Sequence, residues 1–246
     1  MIGHRIVILG GSSPHTPAFF AALASGADPI FDEIVLVGRR ADSVEPVGLF
    51  CRSVAQDLDL PTRVTWETDV ARAAEGADCV LNMIRVGGVE AEVRDRRNLA
   101  LSGIVAHAAG YPEAMRHIPP TLDAAQKIEV IAPEAVFVNF ANPVSLLCEA
   151  VAMTSSLTCI GICHHAFAMQ RDFASVLGVQ AEQVQVEYYG FNHLGWVTNV
   201  RVDGHSQMER LLSALVEQRN KQYNYQVIEP FGLIPIAHAF SLYRQG

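Results

Sequence analysis

The chain lacks several features that would have settled its class at once. No apolar run approaches the roughly eighteen residues of a membrane-spanning helix, although half of the 246 residues are hydrophobic. Positive charge is scarce, with 18 lysines and arginines against 26 acidic residues and a net charge of −8. That balance excludes a broad basic surface for nucleic acid. Cysteine is sparse and odd in number, five in all (51, 79, 148, 159 and 163). Such usage suits free thiols in a reducing cytoplasm rather than a disulfide framework. Glycine at positions 3 and 10 breaks the N-terminal stretch before an apolar segment reaches signal-peptide length, so a cytoplasmic protein without a leader is expected. The apolar content excludes disorder, and the length suits one large or two small domains.

What is present is an alternation. Short β-branched runs over 5–9, 33–37, 64–66, 79–84, 135–140 and 157–162 alternate with helix-length segments over 17–24, 44–58, 70–75, 122–131 and 143–153. Continuous apolar strands separated by helices predict a parallel sheet covered on both faces. The expected architecture is α/β, a Rossmann-like doubly wound sheet over 1–165 followed by a smaller α+β region over 166–246. In that second region 184–189 and 196–202 alternate at period two, predicting antiparallel strands around Gly190-Phe191-Asn192-His193-Leu194-Gly195. A polar helix is predicted over 206–222. Trp66, Phe137 and Phe140 read as core.

The first strand joins the first helix through Leu9-Gly10-Gly11-Ser12-Ser13-Pro14-His15-Thr16-Pro17. Glycine there lets a phosphate approach the backbone, and the helix N-terminus offers unpaired N–H groups. A dinucleotide pyrophosphate is the expected guest, although Ser12 stands where a second glycine is usual. The other reading is a glycine-rich turn without a ligand. Thr16-Pro17 predicts an N-cap followed by proline in the first turn. The second strand runs into Val37-Gly38-Arg39-Arg40 with no carboxylate for an adenosine ribose. Either these arginines clamp a 2′-phosphate, favouring NADP over NAD, or they are solvated. Gly10, Gly11, Ser12, Ser13, Thr16, Arg39 and Asn82 make up the candidate cofactor set.

Five further segments stand out: Ile84-Arg85-Val86-Gly87-Gly88, Arg116-His117-Ile118-Pro119, Asn139-Phe140-Ala141-Asn142-Pro143, Gly161-Ile162-Cys163-His164-His165 and the stretch from Gly190 to Trp196. Several follow the carboxyl ends of predicted strands, where open α/β sheets hold ligands. Cys163 and His193 offer a thiolate and an imidazole, both good donors to a divalent transition metal. Taken singly, a buried cysteine is a small apolar filler and a histidine a satisfied polar group.

The ordered set Gly-Gly-Ser-x-x-x-Thr-Pro, Arg-Val-Gly-Gly, Arg-x-Ile-Pro, Asn-Phe-x-Asn-Pro, Gly-x-Cys and Gly-x-Asn-His-Leu-Gly-Trp resembles glycoside hydrolase family four over essentially the whole chain. That family holds NAD- and metal-dependent 6-phospho-glycosidases, α-galactosidases and α-glucuronidases. The resemblance implies hydrolysis of O-glycosidic bonds by NAD(P)-assisted oxidation at C3, elimination and water addition. It implies Cys163 and His193 as ligands of a divalent metal, manganese above all, and Arg85 and Asn142 as contacts of the sugar or its phosphate. The expected partner is a sugar or sugar-phosphate glycoside, and the expected assembly a homo-oligomer, with no nucleic acid or membrane.

This sequence departs from the family at named places. The usual Gly-Gln-Glu-Thr stretch is absent between Arg-Val-Gly-Gly and Arg-x-Ile-Pro. His164 follows the cysteine where Asn or Asp is common, and could donate a proton near neutral pH. His238 stands in place of the tyrosine base, with Tyr243 five residues on; it is either the base or an ordinary helix histidine. The chain is shorter than family members, so the second region is expected to be incomplete relative to them. Two alternatives follow: a catalytically inactive NAD(P)-binding relative, and a simple hydroxy-acid dehydrogenase.

Overall fold

The computed structural model describes residues 4–25, 31–102, 110–191, 193–220 and 222–236. The chain divides between Ile162 and Cys163 into two compact units. The division falls slightly ahead of the expected residue 165 and assigns Cys163, His164 and His165 to the second unit.

The first unit runs β1 (Arg5–Leu9), α1 (Thr16–Ala24), β2 (Glu33–Val37), α2 (Ala41–Asp57), β3 (Arg63–Glu67), α3 (Val70–Ala74), β4 (Cys79–Asn82), α4 (Gly88–Leu101), α5 (Gly110–Ile131), β5 (Val136–Asn139), α6 (Val144–Thr154) and β6 (Cys159–Gly161). Its strands make one parallel sheet in the order β3-β2-β1-β4-β5-β6. The chain winds outward from β1 in one direction and then restarts at β4 on the other side. Beyond the carboxyl ends of β1 and β4, where this reversal occurs, such sheets bind ligands.

The period of two along each strand builds two cores. Ile6, Ile8, Ile34 and Leu36 pack with Phe20, Val44 and Cys51 on one face. Val7, Leu9, Val35 and Val37 pack with Ala124, Ala125, Ile128 and Phe137 on the other. Each such buried aliphatic side chain contributes roughly 1.5–3 kcal/mol, so both faces hold helices firmly. Of the aromatics expected in the core, Phe137 is fully buried and Trp66 partly so, but Phe140 is exposed beyond the end of β5.

Helix α5 departs most from expectation. A start at 122, after Pro119 and Pro120, follows from the cost of proline inside a helix. The helix instead begins at Gly110 and runs through both prolines. Ala114, His117, Thr121, Ala124, Ala125 and Ile128 form one buried stripe along it, and packing of that stripe outweighs the lost N–H groups. Thr16 is likewise not the N-cap of α1. His15 holds that position in helical conformation, Thr16 lies within the helix, and proline remains in the first turn.

The second unit contains α7 (His165–Leu177), a 3-10 turn (Ala181–Gln183), β7 (Val184–Phe191), β8 (Leu194–Val202), β9 (His205–Ser206), α8 (Met208–Glu217), α9 (Tyr225–Phe231) and β10 (Ile234–Pro235). β7 and β8 form the expected antiparallel hairpin, with a register irregularity at Glu187/Tyr188. The polar helix spans Met208–Glu217 rather than 206–222 and buries Leu211 and Leu215. Met169, Phe173 and Leu177 of α7 pack with Val184, Val197 and Val200 of the hairpin. No helix among the described residues is long and apolar enough to cross a membrane.

Candidate functional site

In the first unit the glycine turn is wedged between strands. Gly10 adopts φ +81, and the N–H groups of Gly10 and Gly11 both donate to the Val37 carbonyl, at 3.0 and 2.8 Å. A Cβ on Gly10 would stand 2.7 Å from the Met83 carbonyl oxygen, and one on Gly11 2.7 Å from Leu36 Cβ. Both glycines are therefore demanded by the sheet itself, with the left-handed φ of Gly10 as a second requirement. The turn closes through Ser13 N–H to the Gly10 carbonyl (2.9 Å) and Thr16 N–H to the Ser13 carbonyl (3.0 Å), while Ser13 Oγ accepts from the His15 N–H. Thr16 is wholly buried at the start of α1, and its Oγ1 has no hydrogen-bond partner among the described residues. A buried hydroxyl of this kind is costly unless a polar group meets it. The unmet Thr16 hydroxyl, at the start of the helix that follows the glycine turn, is the feature here that fits the pyrophosphate of a dinucleotide.

Asn82 is wholly buried and lies inside the sheet end rather than at its surface. Its Nδ2 donates to Asn139 Oδ1 (2.9 Å) and Thr121 Oγ1 (3.4 Å), and its Oδ1 accepts from the Ile84 N–H (3.2 Å). Asn139 passes the network on to the carbonyls of Ala141 and Val144, at 3.1 and 3.3 Å. Asn82 thus fixes the chain leaving β4 and β5, and its side-chain amide is engaged within the sheet end.

The loops so fixed carry Arg85 and Asn142. Arg85 is ion-paired to Glu92, which also holds Arg96 at 2.6 Å. Asn142 is exposed and precedes Pro143 across a cis peptide bond. Between them stands His117, almost fully buried on α5. Its Nε2 lies 3.0 Å from the Val86 N–H and its Nδ1 2.6 Å from the Asn142 carbonyl. A peptide N–H can only donate, so Nε2 is the acceptor and the ring proton sits on Nδ1, donating to Asn142. His117 ties the two substrate-loop candidates together. The sequence motif contained it, but only its position between two donor–acceptor partners reveals the task. Arg116, beside it, pairs with Asp95 and donates to the Val86 carbonyl at 3.4 Å. Glu113, one turn earlier, is buried, and burial pushes its carboxyl above the usual range, with Glu92 adding to the effect against Arg85 and Arg116.

At the end of β2, Arg39 and Arg40 are both exposed. Arg40 forms a two-pronged pair with Asp42, its Nε 2.9 Å from Oδ1.

In the second unit Cys163 and His193 meet, Sγ to Nε2 at 3.3 Å, across thirty positions of sequence. Cys163 precedes α7, and His193 sits in the tight turn between β7 and β8 with φ +65. The turn can form because Gly190 and Gly195 face one another across the hairpin: a Cβ on Gly190 would stand 2.6 Å from Gly195 Cα. Holding a non-glycine residue at left-handed φ costs of order 1 kcal/mol, a cost often met at functional sites. The His193 ring packs on that of His165, centroids 4.7 Å apart. Burial, then His165 and His164, lower the His193 pKa, which favours the neutral ring that a metal ligand requires. His164 is exposed at the N-cap of α7. Among the described residues no three His, Cys, Asp or Glu side chains gather to hold an ion, so an ion at this pair would take two protein donors from them. A thiol beside a neutral imidazole fits a divalent transition metal. His238 and Tyr243 lie outside the described residues.

A family model described as Family 4 glycosyl hydrolase matches residues 5–179. A probable 6-phospho-beta-glucosidase of Bacillus subtilis (strain 168) is 28% identical over 230 residues, covering 89% of this chain and 51% of the relative. A solved 6-phospho-alpha-glucosidase from gut microorganisms, in complex with NAD and glucose-6-phosphate, superposes with a TM-score of 0.88 at 22% identity, covering 100% of this chain and 60% of the other. The 6-phospho-beta glucosidase of Thermotoga maritima with manganese, NAD+ and glucose-6-phosphate gives 0.84 at 21%, covering 98% and 60%. The chain spans about half the length of the curated relatives it matches.

Proposed function

Because this chain belongs to family 4 of the glycosyl hydrolases, we propose that it acts in hydrolysing O-glycosidic bonds of a sugar-phosphate glycoside, using a nicotinamide dinucleotide and a divalent metal, manganese in the first instance. The relatives' names and bound groups support this reading. The observation that carries it is the 3.3 Å approach of Cys163 and His193. Those two side chains hold the metal. The glycine turn and Thr16 hold the dinucleotide pyrophosphate, and Arg85 and Asn142 contact the sugar or its phosphate. When bound, the nicotinamide supplies a reversible hydride acceptor and the metal a Lewis acid. His164, exposed at the start of α7, is the proton donor. His238, with Tyr243, is the base. Free thiols at all five cysteines support a cytoplasmic setting, and exposed Tyr111, Met115, Tyr189 and Phe191 support self-association.

The test is aglycone release from 6-phospho-α- and 6-phospho-β-glucosides. Release that needs both a dinucleotide and Mn²⁺ and stops on chelation is expected. No release with both groups present would contradict the reading.

A further inference from the structure

We infer that the end of β2 takes the 2′-phosphate of an adenosine moiety, so that the dinucleotide this chain binds is NADP rather than NAD. The inference rests on the proposed function only in placing a dinucleotide at the glycine turn.

That turn is tied directly to the place in question. Gly10 and Gly11 both donate to the Val37 carbonyl, and Gly38 and Arg39 follow at once. The adenosine ribose of a dinucleotide whose pyrophosphate lies on the turn therefore meets the residues after Val37. Recognition of an unmodified ribose needs a carboxylate there to accept from its hydroxyls. β2 ends in valine and glycine instead, and a side chain at Gly38 is impossible, since its Cβ would stand 2.6 Å from Val44 Cβ.

The nearby carboxylates already have cations. Asp42 is gripped by the Arg40 fork. Glu67, whose carbonyl accepts from the Gly38 N–H at 3.1 Å, pairs with Arg72 at 3.4 Å. Glu33, lower on β2, holds Arg5 and Arg63. Arg39 alone of this group is exposed with no ion pair or hydrogen bond to any described residue. The chain thus offers a guanidinium where a ribose reader would offer an acid. A guanidinium matches a phosphate dianion in charge and in its fork of donors.

The test is calorimetric titration of the full chain with NADP⁺ and with NAD⁺. NADP⁺ should bind roughly ten- to a hundredfold more tightly, the range of a charge-assisted bond at a partly exposed site. Arg39→Gln should remove that advantage while moving NAD⁺ affinity by less than about twofold, and Arg39→Asp should reverse the preference. The advantage should shrink at high salt. Adenosine 2′,5′-bisphosphate should outcompete AMP, isolating the 2′-phosphate from the rest of the dinucleotide. NAD⁺ binding as tightly as NADP⁺, or an equal loss of both in Arg39→Gln, would overturn the inference and leave the dinucleotide reading standing. Binding of neither would overturn both.

Discussion

The two units place their candidate functional groups by different means. In the first, the loops after β4 and β5 are pinned from beneath by buried polar side chains: Asn82, Asn139 and Thr121 at the sheet end, and His117 bridging Val86 and Asn142. In the second, Cys163 and His193 are set by backbone shape, the start of one helix and a tight hairpin turn held at left-handed φ. A buried network ties loop geometry to the stability of the whole unit, because each unpaired member costs about 1–3 kcal/mol. A hairpin turn is local and can lose its side chain at little cost to the fold. Mutation should therefore couple stability to function in the first unit and separate them in the second.

The largest effect is expected for Asn139→Leu, which strands the Asn82 amide and frees the Ala141 and Val144 carbonyls. Chemical denaturation should show a loss of roughly 2–4 kcal/mol, with metal binding to the intact second unit preserved. An unchanged midpoint would mean the network is idle. Next comes His117→Phe, which keeps the bulk but removes both bridges and should cost about 2 kcal/mol. It should also lower kcat/KM on the glycoside while dinucleotide affinity holds. His117→Gln, with an acceptor and a donor on one amide, should recover part of the loss in turnover. Equal turnover in wild type and His117→Phe would reduce the residue to packing.

A smaller, pH-dependent effect is expected at Glu113. Its folded pKa is raised by burial, so the folded state holds the proton more tightly than the unfolded one. Stability should then fall as pH rises through the interval from the ordinary carboxylate value to the folded one. Glu113→Gln cannot ionise and should show no such slope, gaining on wild type as pH rises through that interval. Parallel pH profiles would show that the carboxylate is compensated.

The contrast between units also marks what sequence could show. Continuous apolar runs mark all six strands of the parallel sheet, because both of its faces are covered, and period-two alternation marks the β7–β8 hairpin. The first half of α5 was invisible, since local proline cost argues against it and only a buried stripe argues for it. Asn82 reads from sequence as a cofactor contact, yet its side chain lies within the network that shapes the end of β4. His117 offered no signal beyond its place in a motif, because its role depends on partners thirty-one and twenty-five residues away. Cys163 and His193 were legible as a pair only through family resemblance. Spacing across two elements carries no metal signature, whereas the glycines beside His193 did reflect a real steric demand.

The proposed function stands or falls with one ion held jointly by Cys163 and His193. The most direct measurement is titration of Co²⁺ into the metal-free chain, followed through the thiolate-to-cobalt charge-transfer band. The band should saturate in wild type and in Cys148→Ser, vanish in Cys163→Ser, and weaken sharply in His193→Asn, whose asparagine tolerates the left-handed turn and leaves stability within about 0.5 kcal/mol. A band that survives Cys163→Ser, or none in wild type, would contradict the claim.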